Sequence, residues 1–459
     1  MKKLLLSIIF TVLSILFVCF LFTSTPVFGA DKVFGEQADV GPAYVPGELL
    51  VKYKAHVRAA TAEFYQTNFS IMTIKVFDPI GVHHVKLPEG MTVEAALAIY
   101  QDDPNVEYAE PNYYYHINAV PNDPDFEELW GLHNTGQLGG TNNADIDAPE
   151  AWDISTGSPT VIIAVIDTGV DYNHEDLFPN MWVNTAELNG TGGFDDDGNG
   201  YVDDIYGWDA RNDDGDPMDG HSHGTHCAGT IGAVGDNSIG VVGVNWAVRI
   251  MALKFLSDSG GGDGADAITC IEYAIEMGAH IMNNSWDGEP FSQALEDAIT
   301  DAHEAGILFV AAAGNGGTNN DDVPHYPASY EVPNVLAVAA TNRNDRLADF
   351  SNYGATSVDV AAPGEDIWST VPNNSYDSFN GTSTAAPHVA GLAGLIKAQN
   401  PSFTDAEIKN IIMDSIDVME YNLVTGGRVN AFRALSGSPP PPPSNGDGGG
   451  GCFMTTTFD

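Results

Sequence analysis

Three short stretches of this chain hold side chains that could together carry out acyl transfer. Residues 163–170, Ile-Ala-Val-Ile-Asp-Thr-Gly-Val, end an apolar run on Asp167. Residues 221–229, His-Ser-His-Gly-Thr-His-Cys-Ala-Gly, centre on His223, and residues 380–391 set Ser383 between Gly381-Thr382 and the small residues Thr384-Ala385-Ala386. Opening a peptide bond through serine needs a hydroxyl, a base to take its proton and a carboxylate to orient that base. The three stretches supply these parts in the order Asp, His, Ser. Each alone has a plainer reading. Asp-Thr-Gly at a strand end arises by chance, and a serine before a helix is an ordinary N-cap. His221, His223 and His226 read as a metal cluster lack the spacing that completes a helical metal face. A second kind of chemistry is suggested by residues 195–204. There Asp195, Asp197, Asn199, Tyr201 and Asp204 offer oxygen at near-alternate positions, as in a calcium loop. The glutamate that finishes an EF-hand is missing, so part of the shell must come from elsewhere; the plainer reading is an acidic surface turn.

Such residues need a rigid frame. Residues 161–166 form a continuous, mostly β-branched run, expected of a strand buried on both faces. Further strands are expected at 249–255, 280–283, 308–312 and 335–339, and helices at 224–231, 264–277, 291–305 and 383–398. Strand–helix alternation predicts an α/β fold in three layers, with a mainly parallel sheet covered on both faces. A last helix is expected at 404–415, with Thr404 and Glu407 as a capping box. Open α/β sheets build their sites at the carboxyl ends of strands, which is where Asp167 falls. Before this region, strands at 48–53, 82–87 and 105–109 and helices at 59–68 and 92–101 predict a separate small α+β domain.

The chain has 459 residues and a net charge of −46. Residues 121–459 hold only nine of its 17 basic residues. Such a surface repels nucleic acid and favours bound cations; it fits a saline habitat or simply a soluble acidic exterior. Four cysteines in a chain this long do not make a disulfide scaffold. Cys227 and Cys270, the only pair within the folded body, are read as buried free thiols, with a disulfide as the alternative. Residues 1–30 read as an export signal: Lys2 and Lys3 precede an apolar run to Phe22, and the small Val27 and Gly29 allow cleavage after Gly29. The run is long, so an uncleaved anchor is the alternative, and membrane contact depends on it. Val18 before Cys19 makes a poor lipoprotein signal. Residues 436–451 read as a stiff-then-flexible Pro/Gly linker before a short tail, 452–459, whose Gly-Gly-Gly-Gly-Cys-Phe start resembles sorting tails of some exported bacterial proteins.

Taken together, the Asp167, His223 and Ser383 motifs resemble the subtilisin family from about residue 130 to 435. Val45-Pro-Gly-Glu-Leu-Leu-Val-Lys-Tyr-Lys54 and Asp103-Pro-Asn-Val-Glu-Tyr-Ala-Glu-Pro-Asn112 resemble the two ends of that family's inhibitory propeptide. The resemblance implies a secreted precursor: signal 1–30, propeptide 31–118, peptidase domain 119–435. It implies self-cleavage between Tyr115 and Pro121, at Asn118. By the match Asp167 orients the imidazole, His223 is base then acid, Ser383 forms the acyl-enzyme and Asn315 donates to the oxyanion. Ser285, Trp286, Asp287 and Gly288 match the segment that pairs with substrate, with Asp287 where the family usually has glycine. That carboxylate either favours cationic side chains or points to solvent. A structural Ca2+ site carries over onto Gln137, Asp176, Asn237, Ile239 and Val241. Thr384 replaces the family's usual methionine, implying slow inactivation by peroxide, and Cys227 resembles a thiol-containing branch sensitive to mercurials. The implied partners are protein or peptide substrates and the chain's own propeptide, acting on a monomer. The rival readings are a non-catalytic calcium-binding surface module of the same fold and a processing protease dedicated to one partner.

Overall fold

The computed structural model describes residues 44–101, 103–113 and 119–437. The expected export signal, the self-cleavage point and the linker and tail beyond residue 437 lie outside the described residues. Among those described, no helix is long and apolar enough to cross a membrane.

Residues 44–113 form an antiparallel sheet of β1 (Tyr44–Tyr53), β2 (Met72–Phe77), β3 (Val82–Lys86) and β4 (Val106–Tyr113), in the order β2-β3-β1-β4, with helices α1 (Arg58–Phe69) and α2 (Val93–Gln101). Leu49, Val51, Tyr53, Tyr65, Val85, Ala96 and Tyr100 make its core. Strand β2 was absent from the sequence reading. It is exposed along nearly its whole length and pairs only at the sheet edge, so no buried face marks it as a strand.

The larger part is built on a nine-stranded sheet, β14-β15-β11-β10-β9-β8-β5-β7-β6. Its central strands are β5 (Gly157–Asp167), β7 (Ala247–Lys254), β8 (Ile281–Asn284), β9 (Leu308–Ala312) and β10 (Val335–Thr341). Outward lie β6 (Gly207–Asp209) on one side and β11 (Val360–Pro363), β15 (Gly427–Val429) and β14 (Ile416–Val418) on the other. All pair in parallel except β14 with β15. The apolar run of β5 splits by its period of two: Val161, Ile163 and Val165 join one core layer, Ala164 and Ile166 the other. The first layer is closed by α3 (Ala148–Trp152), α5 (His223–Gly232), α8 (Thr382–Gln399), α9 (Asp405–Asp414) and α10 (Ala431–Ser436). The second is closed by α6 (Gly264–Glu276) and α7 (Gln293–Glu304). A short α4 (Thr185–Leu188) lies in the loop before β6, and a hairpin of β12 (Ile367–Val371) and β13 (Ser375–Phe379) precedes α8.

Side chains fix the helix starts. Asp263 accepts from the N–H groups of Ala265 and Asp266, Ser292 from Leu295, and Thr404 with Glu407 forms the expected capping box. Cys227 and Cys270 are both buried free thiols, in opposite core layers. The small edge elements β6, β11 and β12–β15 were not anticipated, because three to five residues carry too little periodicity to read. The chain runs from β5 to β7 on one side and then to β8 on the other. This reversal at β5 opens a crevice at the carboxyl ends of the strands.

Candidate active site

Asp167 is the last residue of β5 and fully buried. Its Oδ1 accepts from the Thr168 N–H at 2.7 Å and stands 2.7 Å from His223 Nδ1. His223 opens α5 directly after Ser222, whose φ of 94° turns the chain into the helix. Asp219, which the sequence reading did not single out, builds that turn. Its Oδ1 accepts from Thr168 Oγ1 and from the N–H groups of His221 and Ser222, and its Oδ2 from Thr225 N and Oγ1. Gly224 lets helix and strand end approach, since a Cβ there would lie 2.1 Å from the Gly169 carbonyl oxygen. Burial pushes the His223 imidazole toward its neutral form, but the charge and hydrogen bond of Asp167 outweigh it and hold the pKa above the ordinary histidine value. His221 and His226 do not gather with His223 around a metal. His226 Nε2 pairs with the Ile367 carbonyl at 2.8 Å, deep in the core.

Ser383 is the second residue of α8, almost fully buried. A Cβ on Gly381 would come within 2.7 Å of Ser383 Oγ, so glycine keeps the space over the hydroxyl clear. Pro387, four residues on, has no N–H to give the Ser383 carbonyl. Ser285 Oγ donates to that oxygen at 2.8 Å and Cys227 Sγ at 3.5 Å instead. Burial pushes the Cys227 thiol well up, so it remains a protonated donor, a state that slows reaction with mercurials. Asn315 follows β9 and Gly314. Its Oδ1 accepts from Thr382 N at 2.7 Å and Thr382 Oγ1 at 3.1 Å, which leaves its amide N–H groups as the free donors beside Ser383.

Beyond Asn284, the end of β8, no backbone hydrogen bond ties Trp286 or Asp287 to another segment among the described residues, and Gly288 bridges to Tyr326 with two bonds of 2.8 Å. The Trp286 ring packs on Phe255. The Asp287 carboxylate does not simply face solvent: its Oδ2 stands 2.9 Å from His325 Nδ1.

Two acidic centres differ in part from the sequence expectation. At the first, Asp176 is buried; its Oδ1 accepts from Asn237 Nδ2 at 2.7 Å, and its Oδ2 from Val241 N and Tyr376 Oη. Burial raises its pKa to about 6. Gln137 is not there. It closes a local turn, accepting from Thr135 and donating to the His133 carbonyl. Asp123 meets the 236–241 loop instead: it is buried and accepts from the N–H groups of Asp236 and Asn237, just before Ile239. At the second centre Asp197 and Asp204 meet Glu187 of α4, with one carboxylate oxygen from each within 4.8 Å of the others. Asn199 Nδ2 donates to Asp204 Oδ2 at 3.0 Å. Asp195 instead staples the loop through the N–H groups of Gly198 and Gly200, and Tyr201 turns its ring onto Trp208 and Tyr273. Glu187 thus sets a carboxylate beside the loop, at the side where the loop has no glutamate of its own. Among the described residues the partners of Asp123, Asp176 and Asp204 are amides and hydroxyls with no cation among them; burial first, and then a neighbouring carboxylate (Asp236, Asp123 and Asp197 in turn), raises all three pKa values, a donor set that fits a hard divalent cation.

Comparison with known proteins places this geometry. The subtilase family model matches residues 158–437, and that of the fervidolysin N-terminal prodomain matches residues 31–112. A thermophilic serine proteinase of Bacillus sp. (strain AK1) is 38% identical over 399 residues, covering 86% of this chain and 88% of that protein. Thermitase of Thermoactinomyces vulgaris is 38% identical over 321 residues, 69% of this chain and 99% of its own length. A protease structure from Pseudoalteromonas arctica superposes with a TM-score of 0.56 at 29% identity, over 70% of this chain and 99% of the other. With its strand-end aspartate, helix-borne histidine and helix-start serine on a mainly parallel sheet, the chain belongs to the subtilase family and is a subtilisin-like serine endopeptidase with an N-terminal prodomain.

Proposed function

We propose that the chain is an exported precursor whose peptidase domain cleaves proteins through an acyl-enzyme on Ser383. The observation that carries this is the 2.7 Å contact of His223 Nδ1 with the buried Asp167, which leaves Nε2 of the ring to receive the Ser383 proton. Asp167 holds the tautomer and stabilises the imidazolium that forms; His223 then returns the proton to the leaving amine. The carbonyl oxygen becomes negative on attack. Asn315 Nδ2 and the N–H of Ser383 itself stabilise it, an arrangement whose single donors are each worth about 100- to 1000-fold in turnover. Substrate adds as a strand along Ser285 to Gly288, using the Trp286 and Asp287 backbone groups, which make no backbone hydrogen bond among the described residues.

Calcium, held by Asp123, Asp176, Asn237 and the carbonyls of Ile239 and Val241, and by Glu187, Asp197, Asn199 and Asp204, serves structure. It ties surface loops to the domain and stabilises the folded state by mass action. Residues 1–30 direct export, 31–118 assist folding and inhibit, and 119–435 form the mature domain after cleavage at Asn118; residues 436–451 tether the short tail 452–459.

The test is a fluorophosphonate label on the purified chain beside Ser383→Ala, with precursor size followed on a gel. Labelling and shortening in the wild type, both lost in Ser383→Ala, support the proposal. A folded, calcium-loaded, prodomain-free protein that takes no label would overturn it in favour of a non-catalytic binding module.

A further inference from the structure

Two segments converge on Ser383. Ser285 donates to its carbonyl at 2.8 Å, and Asn315 is fastened to the preceding Thr382 at 2.7 Å. On the reading of 285–288 as the substrate strand they are the two walls of a slot leading away from the hydroxyl, one running Ser285 to Gly288 and the other Gly314 to Gly316. The Asp287 carboxylate crosses between them. Its Oδ2 lies 3.2 Å from the point a Cβ of Gly314 would occupy, and 2.9 Å from His325 Nδ1. The antiparallel bridge of Gly288 with Tyr326 brings His325 to this end of the slot. Gly314, at φ 107°, and Gly316 add no side chains to the second wall; the Asn352 amide packs behind it, 2.4 Å from the point a Cβ of Gly314 would occupy.

Only one oxygen of Asp287 is engaged. Its Oδ1 makes no hydrogen bond among the described residues, and the side chain is 32% exposed against 13% for His325. A substrate strand laid along Trp286 and Asp287 turns alternate side chains to one side, and the residue that presents its carbonyl to Ser383 sends its side chain between these walls. A long side chain ending in a cation meets Asp287 Oδ1 there.

Resting on the reading of Ser383 as nucleophile and of 285–288 as the substrate strand, we propose that Asp287 selects lysine or arginine at the residue on the acyl side of the cleaved bond. His325 is the positioning residue that holds the carboxylate across the slot.

The test uses the processed enzyme and two peptides that differ at this residue only, lysine against norleucine. The kcat/KM ratio is taken within each preparation, so the active fraction cancels. The wild-type ratio should exceed one and fall roughly tenfold or more in Asp287→Asn, as expected for loss of a hydrogen bond to a charged group. Asp287→Gly should behave alike. His325→Ala should lower the ratio, and His325→Asn, which keeps a donor near the Nδ1 position, should recover part of it. A wild-type ratio at or below one, or one unchanged in Asp287→Asn, overturns this inference while cleavage itself upholds the serine mechanism. A wild-type protein that cleaves neither peptide and takes no fluorophosphonate brings down both.

Discussion

Ser285 Oγ donates to the main-chain carbonyl of Ser383 at 2.8 Å, replacing the helix bond that Pro387 cannot make. The proline frees the first turn of α8 from the i→i+4 ladder at the nucleophile, and a side chain from the substrate wall takes over. Ser285→Ala leaves only the weak Cys227 donor on a buried oxygen. It should cost about 1–3 kcal/mol of stability and lower turnover. In a Pro387→Ala background, where the helix supplies its own N–H, the same change should cost less. Thermal unfolding of the four proteins in this cycle measures the coupling, and strict additivity would refute the link.

The acid limb of activity follows from His223. The ring must be neutral to take the Ser383 proton, so activity is lost as pH falls through its pKa, which Asp167 holds above the ordinary value. Asp167→Asn removes the charge and keeps the burial. The limb should then move to lower pH, with turnover at the optimum down by about four orders of magnitude. A kcat/KM profile that stays put or moves upward contradicts the assignment.

Chelation should lower the melting temperature, since saturation at about 100 times Kd adds about 2.7 kcal/mol to the folded state. Asp123→Asn and Glu187→Gln should each remove part of this response. Gln137→Ala should leave it whole, because Gln137 closes a separate turn. Melting curves with calcium and with chelator decide which residues belong to the sites.

The prodomain should loosen in acid. His83 is buried against Tyr53, and among the described residues neither ring nitrogen has a hydrogen-bond partner. Burial lowers its pKa and Arg58 pushes the same way, with Asp78 opposing. The folded value therefore lies below the unfolded one of about 6.5, so the stability contribution is intact above that pH and lost as pH falls below it. Limited proteolysis of residues 44–113 in full-length Ser383→Ala should speed up between pH 7.5 and 5. His83→Phe, which keeps the aromatic contact, should blunt the effect.

Thr384 fills the position after the nucleophile with a hydroxyl bonded to the Gly364 and Gly381 carbonyls, where no thioether can be oxidised. Peroxide should inactivate the wild type slowly and Thr384→Met faster; equal rates of activity loss would count against this.

The proposed catalytic residues Asp167, His223, Ser383 and Asn315 were legible in the sequence because each sits at or just past the end or start of a regular element, inside a local pattern. The runs that form β5, β7 and α8 are long enough for burial and periodicity to identify them, and β9 is marked by an unbroken apolar run. What the residues alone determined was therefore the fold class, the family resemblance and the parts of the acyl-transfer machinery. Tertiary structure alone decided how loops from distant stretches meet. It brought Asp123 beside the 236–241 loop, gave the 195–204 loop a glutamate from α4, set Asp219 under the His223 turn and turned Asp287 to His325. Oxygen donors and ion pairs on loops follow no period along the chain. Their partners are chosen by the closure of the sheet and the chain reversals around it, and that packing is a property of the whole molecule.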